Sequence, residues 1–233
     1  MNRLVLLRHG HSRWNLSNKF SGWADIPLSD KGIKEAQDAA KKLKGINFDI
    51  AFTSDLERAH QTLTIVLAQQ KRTGIFHHKG EKKYYWPFDD HIADPEEVPI
   101  HPHKEINERH YGDLTGLHKD AAREKYGEEQ VYLWRRSFTV RPPKGESLED
   151  VYKRVVPFFQ KVVMPYIRKK HNVIISAHGN TLRALMMYLE GIEAEAVPRL
   201  ELPPGVPLIY EYQRKKLKRV TNHLTFDRPL RWK

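Results

Sequence analysis

No cysteine occurs in this chain of 233 residues. Disulfides, zinc–thiolate centres and a cysteine nucleophile are therefore excluded, and nothing calls for an oxidising compartment. Long apolar runs are also missing. Met1-Asn2-Arg3 is followed by only four apolar residues before Arg8. That is too few for the core of a secretory signal and far too few to span a bilayer. Repeats and low-complexity linkers are absent as well. Acidic residues are in deficit: 29 Asp+Glu stand against 40 Lys+Arg, a net charge of +11. Such an excess suits nucleic acid, an anionic membrane or a small polyanion. The densest basic runs, Arg168-Lys169-Lys170-His171 and Arg214 to Arg219, read as a solvated helix end and a solvated turn or tail. No RNA-binding aromatic signature or zinc-finger spacing accompanies them. The expectation is a cytoplasmic protein that focuses its field on small anionic molecules, with no nucleic-acid or membrane partner.

What is present is enough for a core, since 39% of residues are hydrophobic. The length fits one domain over 1–233 better than two. Strand-like runs are Leu4 to Leu7, Ile50 to Thr53, Val173 to Ala177 and Leu208 to Tyr212. The first and third are continuously apolar, as strands covered on both faces should be. Helical spacing recurs over Gly32 to Leu43, Leu56 to Gln70 and Thr181 to Leu189, the last stopped by Gly191. Ser147-Leu148-Glu149-Asp150 resembles a capped helix start, and Pro157 and Pro165 are expected to bend or end that helix. The alternation predicts an α/β fold of three layers, a mainly parallel central sheet with helices on both faces. Residues 71–104, rich in proline and histidine, read as a surface insertion or lid. Residues 213–233 read as a basic C-terminal tail. His101-Pro102-His103 is a conceivable metal pair, but it lacks the fixed spacing of a metal site, and no metal is expected.

Two strands run directly into histidine: Leu4 to Leu7 into Arg8-His9-Gly10, and Val173 to Ala177 into His178-Gly179-Asn180. Chemistry in open α/β sheets gathers outside the carboxyl ends of strands. A neutral imidazole is nucleophilic near neutral pH, and its phosphoramidate transfers readily to oxygen. Arg8 offers a planar, permanently charged fork for phosphate oxygens. Gly10 would let the backbone approach a phosphate, and the helix opened by Gly179 favours an anion at its start. The pattern points to phosphoryl transfer through a phosphohistidine.

Longer motifs sharpen this reading. Leu4 to Asn15, Phe20-Ser21-Gly22-Trp23-Ala24-Asp25, Thr53-Ser54-Asp55-Leu56-Glu57-Arg58-Ala59, Asn107-Glu108-Arg109-His110-Tyr111-Gly112, Trp134-Arg135-Arg136-Ser137, Ser176 to Asn180 and Pro204-Gly205-Val206-Pro207 follow one another in order. Together they resemble the histidine phosphatase superfamily and, more narrowly, its cofactor-dependent phosphoglycerate mutases. The resemblance implies His9 as the phosphorylated nucleophile, with Arg8, Arg58 and His178 around the phosphoryl group in flight. It implies Glu108 as general acid and base, and a hydrogen bond from Asn15. It implies substrate contacts from Ser21, Gly22, Arg109, Tyr111, Lys119, Arg135, Arg136, Gly179 and Asn180. The implied activity is interconversion of 3-phosphoglycerate and 2-phosphoglycerate, primed by 2,3-bisphosphoglycerate, without metal, in glycolysis and gluconeogenesis. A homodimer or other homo-oligomer is compatible with it. His11 departs from the pattern, standing where the relatives generally carry Glu or Gln. The rival expectations are a phosphatase of the same superfamily acting on a small phosphoester, a silent scaffold that merely holds anions, and a nucleic-acid binder.

Overall fold

The computed structural model describes residues 2–77, 94, 96–221 and 225–226. In chain order the elements are β1 (Arg3–Arg8), α1 (Arg13–Leu16), α2 (Asp30–Lys42), β2 (Ile50–Thr53), α3 (Glu57–Gln69), β3 (Thr73–Phe76), β4 (Glu97–Pro102), α4 (Lys119–Tyr126), α5 (Glu128–Arg136), α6 (Leu148–Phe158), α7 (Met164–Arg168), β5 (Val173–Ala177), α8 (Gly179–Glu190), β6 (Leu200–Glu201), β7 (Pro207–Gln213), β8 (Lys216–Arg219) and β9 (Thr225–Phe226). Seven strands form one sheet in the order β3-β4-β2-β5-β1-β7-β8. From β3 to β1 every pairing is parallel, and β7 and β8 add an antiparallel edge. The expected mainly parallel α/β sheet is what the chain forms.

Period-two alternation in the central strands feeds two separate cores. Leu4 and Leu6 of β1 join Ile50, Phe52, Val173 and Ile175 beneath α6, α7 and α8. Val5 and Leu7 join Ala51 and Ile174 on the opposite face, against Ala39 and Ala40 of α2 and Leu63, Val66 and Leu67 of α3. Both faces are dry, which explains why β1 and β5 read as unbroken apolar runs. A third, smaller cluster of Phe20, Leu114, Ala122, Val131 and Trp134 packs α4 and α5 onto the loop after α1.

Two expectations change and a third narrows. Within residues 71–104, Thr73–Phe76 and Glu97–Pro102 are strands of the main sheet rather than parts of a surface insertion. Pro99 and Pro102 disguise β4, because proline normally argues against an inner strand. The remainder of that stretch, including His78 and His91, lies outside the described residues. Within residues 213–233, Gln213 closes β7 and Lys216–Arg219 returns along it as β8, so this part is a hairpin and not a tail. Residues 222–224 and 227–233 are outside the described set. Finally, of the two outcomes expected at Pro157 and Pro165, a bend or an end, the structure excludes an end to the helix begun at Ser147. The backbone continues through Pro157, widens into one π turn over Phe159–Val163 and resumes as α7 with Pro165 in its first turn. A wider turn is a usual accommodation for a residue that cannot donate a backbone bond.

Candidate active site

Parallel registration decides where the histidines fall. Arg8 of β1 lies opposite Ala177 of β5, and the His9 amide donates to the Ala177 carbonyl at 3.0 Å. Their next residues therefore leave the sheet side by side. The His9 and His178 rings meet edge-on, with centroids 4.9 Å apart. β2, on the other side of β5, delivers Ser54 and then Arg58 to the same edge. β4, beside β2, leads through His103 and Asn107 to Glu108.

Each ring nitrogen has a distinct task. The His9 Nδ1–H donates to the Gly10 carbonyl at 2.6 Å, which leaves the free lone pair on Nε2. Burial first, then Arg58 and Arg8, push the His9 pKa well below its ordinary 6.5. His9 is therefore neutral at physiological pH, as a nucleophile must be. His178 is fully buried. Its Nε2 lies 2.7 Å from the Ser54 hydroxyl, which also accepts the Leu56 amide at 3.2 Å. A Ser54 hydroxyl that donates to Nε2 would put the proton of the neutral ring on Nδ1. That nitrogen is buried and has no hydrogen-bond partner among the described residues. Burial, then Arg58 and His9, hold His178 well below 6.5 too.

The cations are anchored by backbone carbonyls. Arg8 Nη1 donates to Leu202 O at 2.6 Å, and its Nε is buried without a partner. Arg58 donates to Gly22 O at 2.7 Å and to Ala24 O at 2.9 Å. Burial lowers the Arg58 pKa to about 10, still cationic at neutral pH. A Cβ on Gly179 would come within 3.6 Å of the Arg8 guanidinium and 3.3 Å of Arg183 Nη1. Such a Cβ would touch Arg8 in ordinary van der Waals contact and press slightly on the flexible end of Arg183. Gly10 has a packing role of its own: its absent Cβ would lie 2.3 Å from the Gly32 carbonyl, so it lets the loop after β1 pack on the first turn of α2. His11, the departure from the family pattern, bonds Glu35 of α2 through both its backbone amide and Nδ1, each at 2.8 Å.

Glu108 is held from several sides. Its carbonyl accepts Trp23 Nε1 at 2.5 Å and Arg154 Nη2 at 3.0 Å. Its Oε1 accepts its neighbour's amide at 2.7 Å and Asn180 Nδ2 at 3.0 Å. No bond to Oε2 is made among the described residues. Asn15 closes a capping box with Ser12, and Ser21 Oγ is buried without a partner.

These groups line one cleft of about 820 Å³, including its open mouth. Of the expected site residues, Arg8, His9, Asn15, Ser21, Gly22, Arg58, Glu108, Tyr111, Lys119, Arg135, Arg136, Gly179 and Asn180 lie on its walls. His178 lies directly behind, against His9. Arg109 is placed differently from the substrate contact expected. It is fully buried, lies over the Tyr111 ring at 4.8 Å, and donates to Tyr111 Oη and the Arg135 carbonyl. Its side-chain hydrogen bonds among the described residues go to those two residues. Burial alone would raise the Tyr111 pKa, but Arg109 and Arg135 together outweigh it and the phenol is lowered. Lys19, Arg183 and Glu201 also line the cleft and were not anticipated. Arg183 had a readable signal: it sits one helical turn after Gly179 and Asn180, on the same face. Among the described residues no group of three or more His, Asp or Glu side chains is placed to hold a metal.

The chain matches the model of the histidine phosphatase superfamily (branch 1) over residues 4–80 and 90–223. It is 48% identical to the 2,3-bisphosphoglycerate-dependent phosphoglycerate mutase of Gloeothece citriformis, over 92% of this chain and 96% of the relative. The enzyme of the same name from Methanococcus vannielii is 44% identical, over 99% of this chain and 100% of that one. This chain belongs to the histidine phosphatase superfamily. Within it, identity at this level and coverage places the chain among the 2,3-bisphosphoglycerate-dependent phosphoglycerate mutases. Solved structures agree on the fold. Bacillus stearothermophilus YhfR superposes with a TM-score of 0.74 at 23% identity, covering 94% of this chain and 96% of that one. The α-ribazole phosphatase of Shigella flexneri gives 0.72 at 25% identity, over 93% and 94%. Among the described residues no helix is long and apolar enough to cross a membrane.

Proposed function

We propose that the cleft interconverts 3-phosphoglycerate and 2-phosphoglycerate, as the names of its relatives indicate for them. The observation that carries this is the pairing of a neutral, Nδ1-anchored His9 with a carboxylate, Glu108, across a cleft lined by arginines and lysines. The cleft also fits 2,3-bisphosphoglycerate. Buried and unpartnered Arg8 Nε, Ser21 Oγ and His178 Nδ1 lie in or behind its walls, and strongly anionic phosphates are the ligands such donors need. When bound, that cofactor supplies the phosphoryl group that primes His9.

On phosphorylated His9, Arg8, Arg58 and the Nδ1–H of His178 hold the three equatorial oxygens. Fixed positive charge acts most strongly where charge is redistributed in the transition state. Glu108 removes the proton from the O2 hydroxyl of 3-phosphoglycerate as that oxygen attacks phosphorus and the P–N bond breaks. After the bound glycerate turns, His9 Nε2 attacks the phosphorus on O3. The P–O bond breaks, and Glu108 returns its proton to O3, releasing 2-phosphoglycerate. Lys119, Arg135 and Arg136 hold the anionic groups at the far end. Burial lowers the pKa of both Lys119 and Arg135, each already crowded by neighbouring cations, so bound anions relieve a standing repulsion.

A coupled assay following 2-phosphoglycerate formation, with and without bisphosphoglycerate and with a chelator present, tests the reading. Isomerisation that needs the bisphosphate and ignores the chelator is expected. Release of inorganic phosphate without isomerisation would instead support the phosphatase reading, which the fold shared with α-ribazole phosphatase keeps in view.

A further inference from the structure

Two carboxylates line the described walls of the cleft, and the mechanism uses only Glu108. The other, Glu201, ends β6. Its Oε1 lies 2.8 Å from Arg136 Nη2 and 3.9 Å from Arg183 Nη2. Its neighbours complete the arrangement: Leu200 O accepts Arg183 Nε at 2.9 Å, and Leu202 O accepts Arg8 Nη1 at 2.6 Å. Leu200 and Leu202 thus anchor two guanidinium groups of one wall by hydrogen bonds, and Glu201 between them draws in a third, that of Arg136, by ion pairing. β6 is itself paired with β9, Glu201 opposite Thr225, so the carboxylate is carried by a strand and not by a free loop.

A fixed negative charge in a binding cleft repels an anionic ligand in proportion to the ligand's charge. A bisphosphate is therefore penalised more than a monophosphate at the same place. The carboxylate also balances the crowded wall when no ligand is there. Burial, Arg136 and Arg8 drive the Arg183 pKa down to about 10, and Glu201 opposes them. Resting on the mutase reading above, we propose that Glu201 is a built-in counter-anion that sets the cleft's preference between singly and doubly phosphorylated glycerates. It shares Arg136 and Arg183 with the ligand and weakens the bisphosphate selectively. A site that must let the bisphosphate turn, and sometimes leave, gains from not holding it too tightly.

Calorimetric titration of 3-phosphoglycerate and of 2,3-bisphosphoglycerate tests this directly. Each would be measured with Glu201, Glu201→Gln and Glu201→Asp, in a His9→Ala background where no transfer occurs. Glu201→Gln should tighten the bisphosphate about tenfold more than the monophosphate, with the difference shrinking at high salt. Glu201→Asp, which keeps the charge, should leave the ratio near its starting value. Equal tightening of both ligands, or weakening of both as the arginines lose their anchor, would overturn the proposal while leaving the mutase reading intact. Failure of either phosphoglycerate to bind the protein with Glu201 in place would overturn both.

Discussion

A histidine nucleophile depends on which of its nitrogens holds the proton. For His9 the answer is local, set by the carbonyl of the next residue. For His178 the proposed mechanism requires Ser54, a residue more than a hundred positions away in sequence, to donate to Nε2 and so keep the proton on Nδ1. Ser54→Ala would free the ring to adopt the other tautomer, which offers a lone pair, not a proton, to the phosphoryl oxygen. We expect kcat to fall about tenfold to a hundredfold, with a smaller change in KM, since the loss falls on charge developed in transfer. Steady-state kinetics on the variant, with its folding checked by thermal melting, reads this. An unchanged kcat would remove Ser54 from the account. Arg8, His9 and His178 were legible because Arg8 ends a strand, each histidine directly follows one, and all three have telling neighbours. The ties of Ser54, Arg154 and Glu201 were not, because the contact that defines each is made to a distant part of the chain.

At the scale of elements, the site is a consequence of parallel strands ending together. β1 and β5 were readable from unbroken apolar runs, and β2 and β7 as shorter strand-like runs. β4 was not, because its prolines imitate a loop, and with it went the reason Glu108 reaches the same edge as His9. Glycine spacing at the mouth of α2 was also opaque in sequence. Gly10 and Gly32 face each other so closely that a Cβ on either would lie within 2.3 Å of a backbone carbonyl oxygen. Backbone cannot yield as a flexible side chain can, so Gly10→Ala should destabilise the fold by about 2 kcal/mol or more. Urea denaturation measures it. A variant as stable as its parent would show that the loop after β1 can shift away from α2 at little cost.

Across the whole molecule, two histidines buried beside arginines at one sheet edge determine how the fold responds to acid. His9 and His178 stay neutral when folded, with pKa values depressed well below 6.5. The unfolded chain protonates both near 6.5. Their contribution to stability is therefore fully present above about pH 6.5 and declines as pH falls from there toward the folded values. Each group should withdraw roughly 1 kcal/mol per pH unit in that range. Asp150, depressed despite its burial by Arg141 and Ser147, acts only below the ordinary carboxylate range and leaves this window clear. Denaturation at pH 7.5 and 5.5 should show the decline, and a variant with Asn at position 9 should show less of it. Stability that is flat across the window would mean that the rings are more accessible to protons than their burial indicates.

The centre of the account is a phosphoryl group carried on His9. The most direct measurement incubates the protein with 2,3-bisphosphoglycerate labelled in its phosphates, then digests it under alkaline conditions and locates the label by mass spectrometry. The account predicts one acid-labile adduct on His9 that is lost to added 3-phosphoglycerate and is absent from His9→Ala. Label on another residue, or isomerisation at full rate with no adduct on His9, would contradict it.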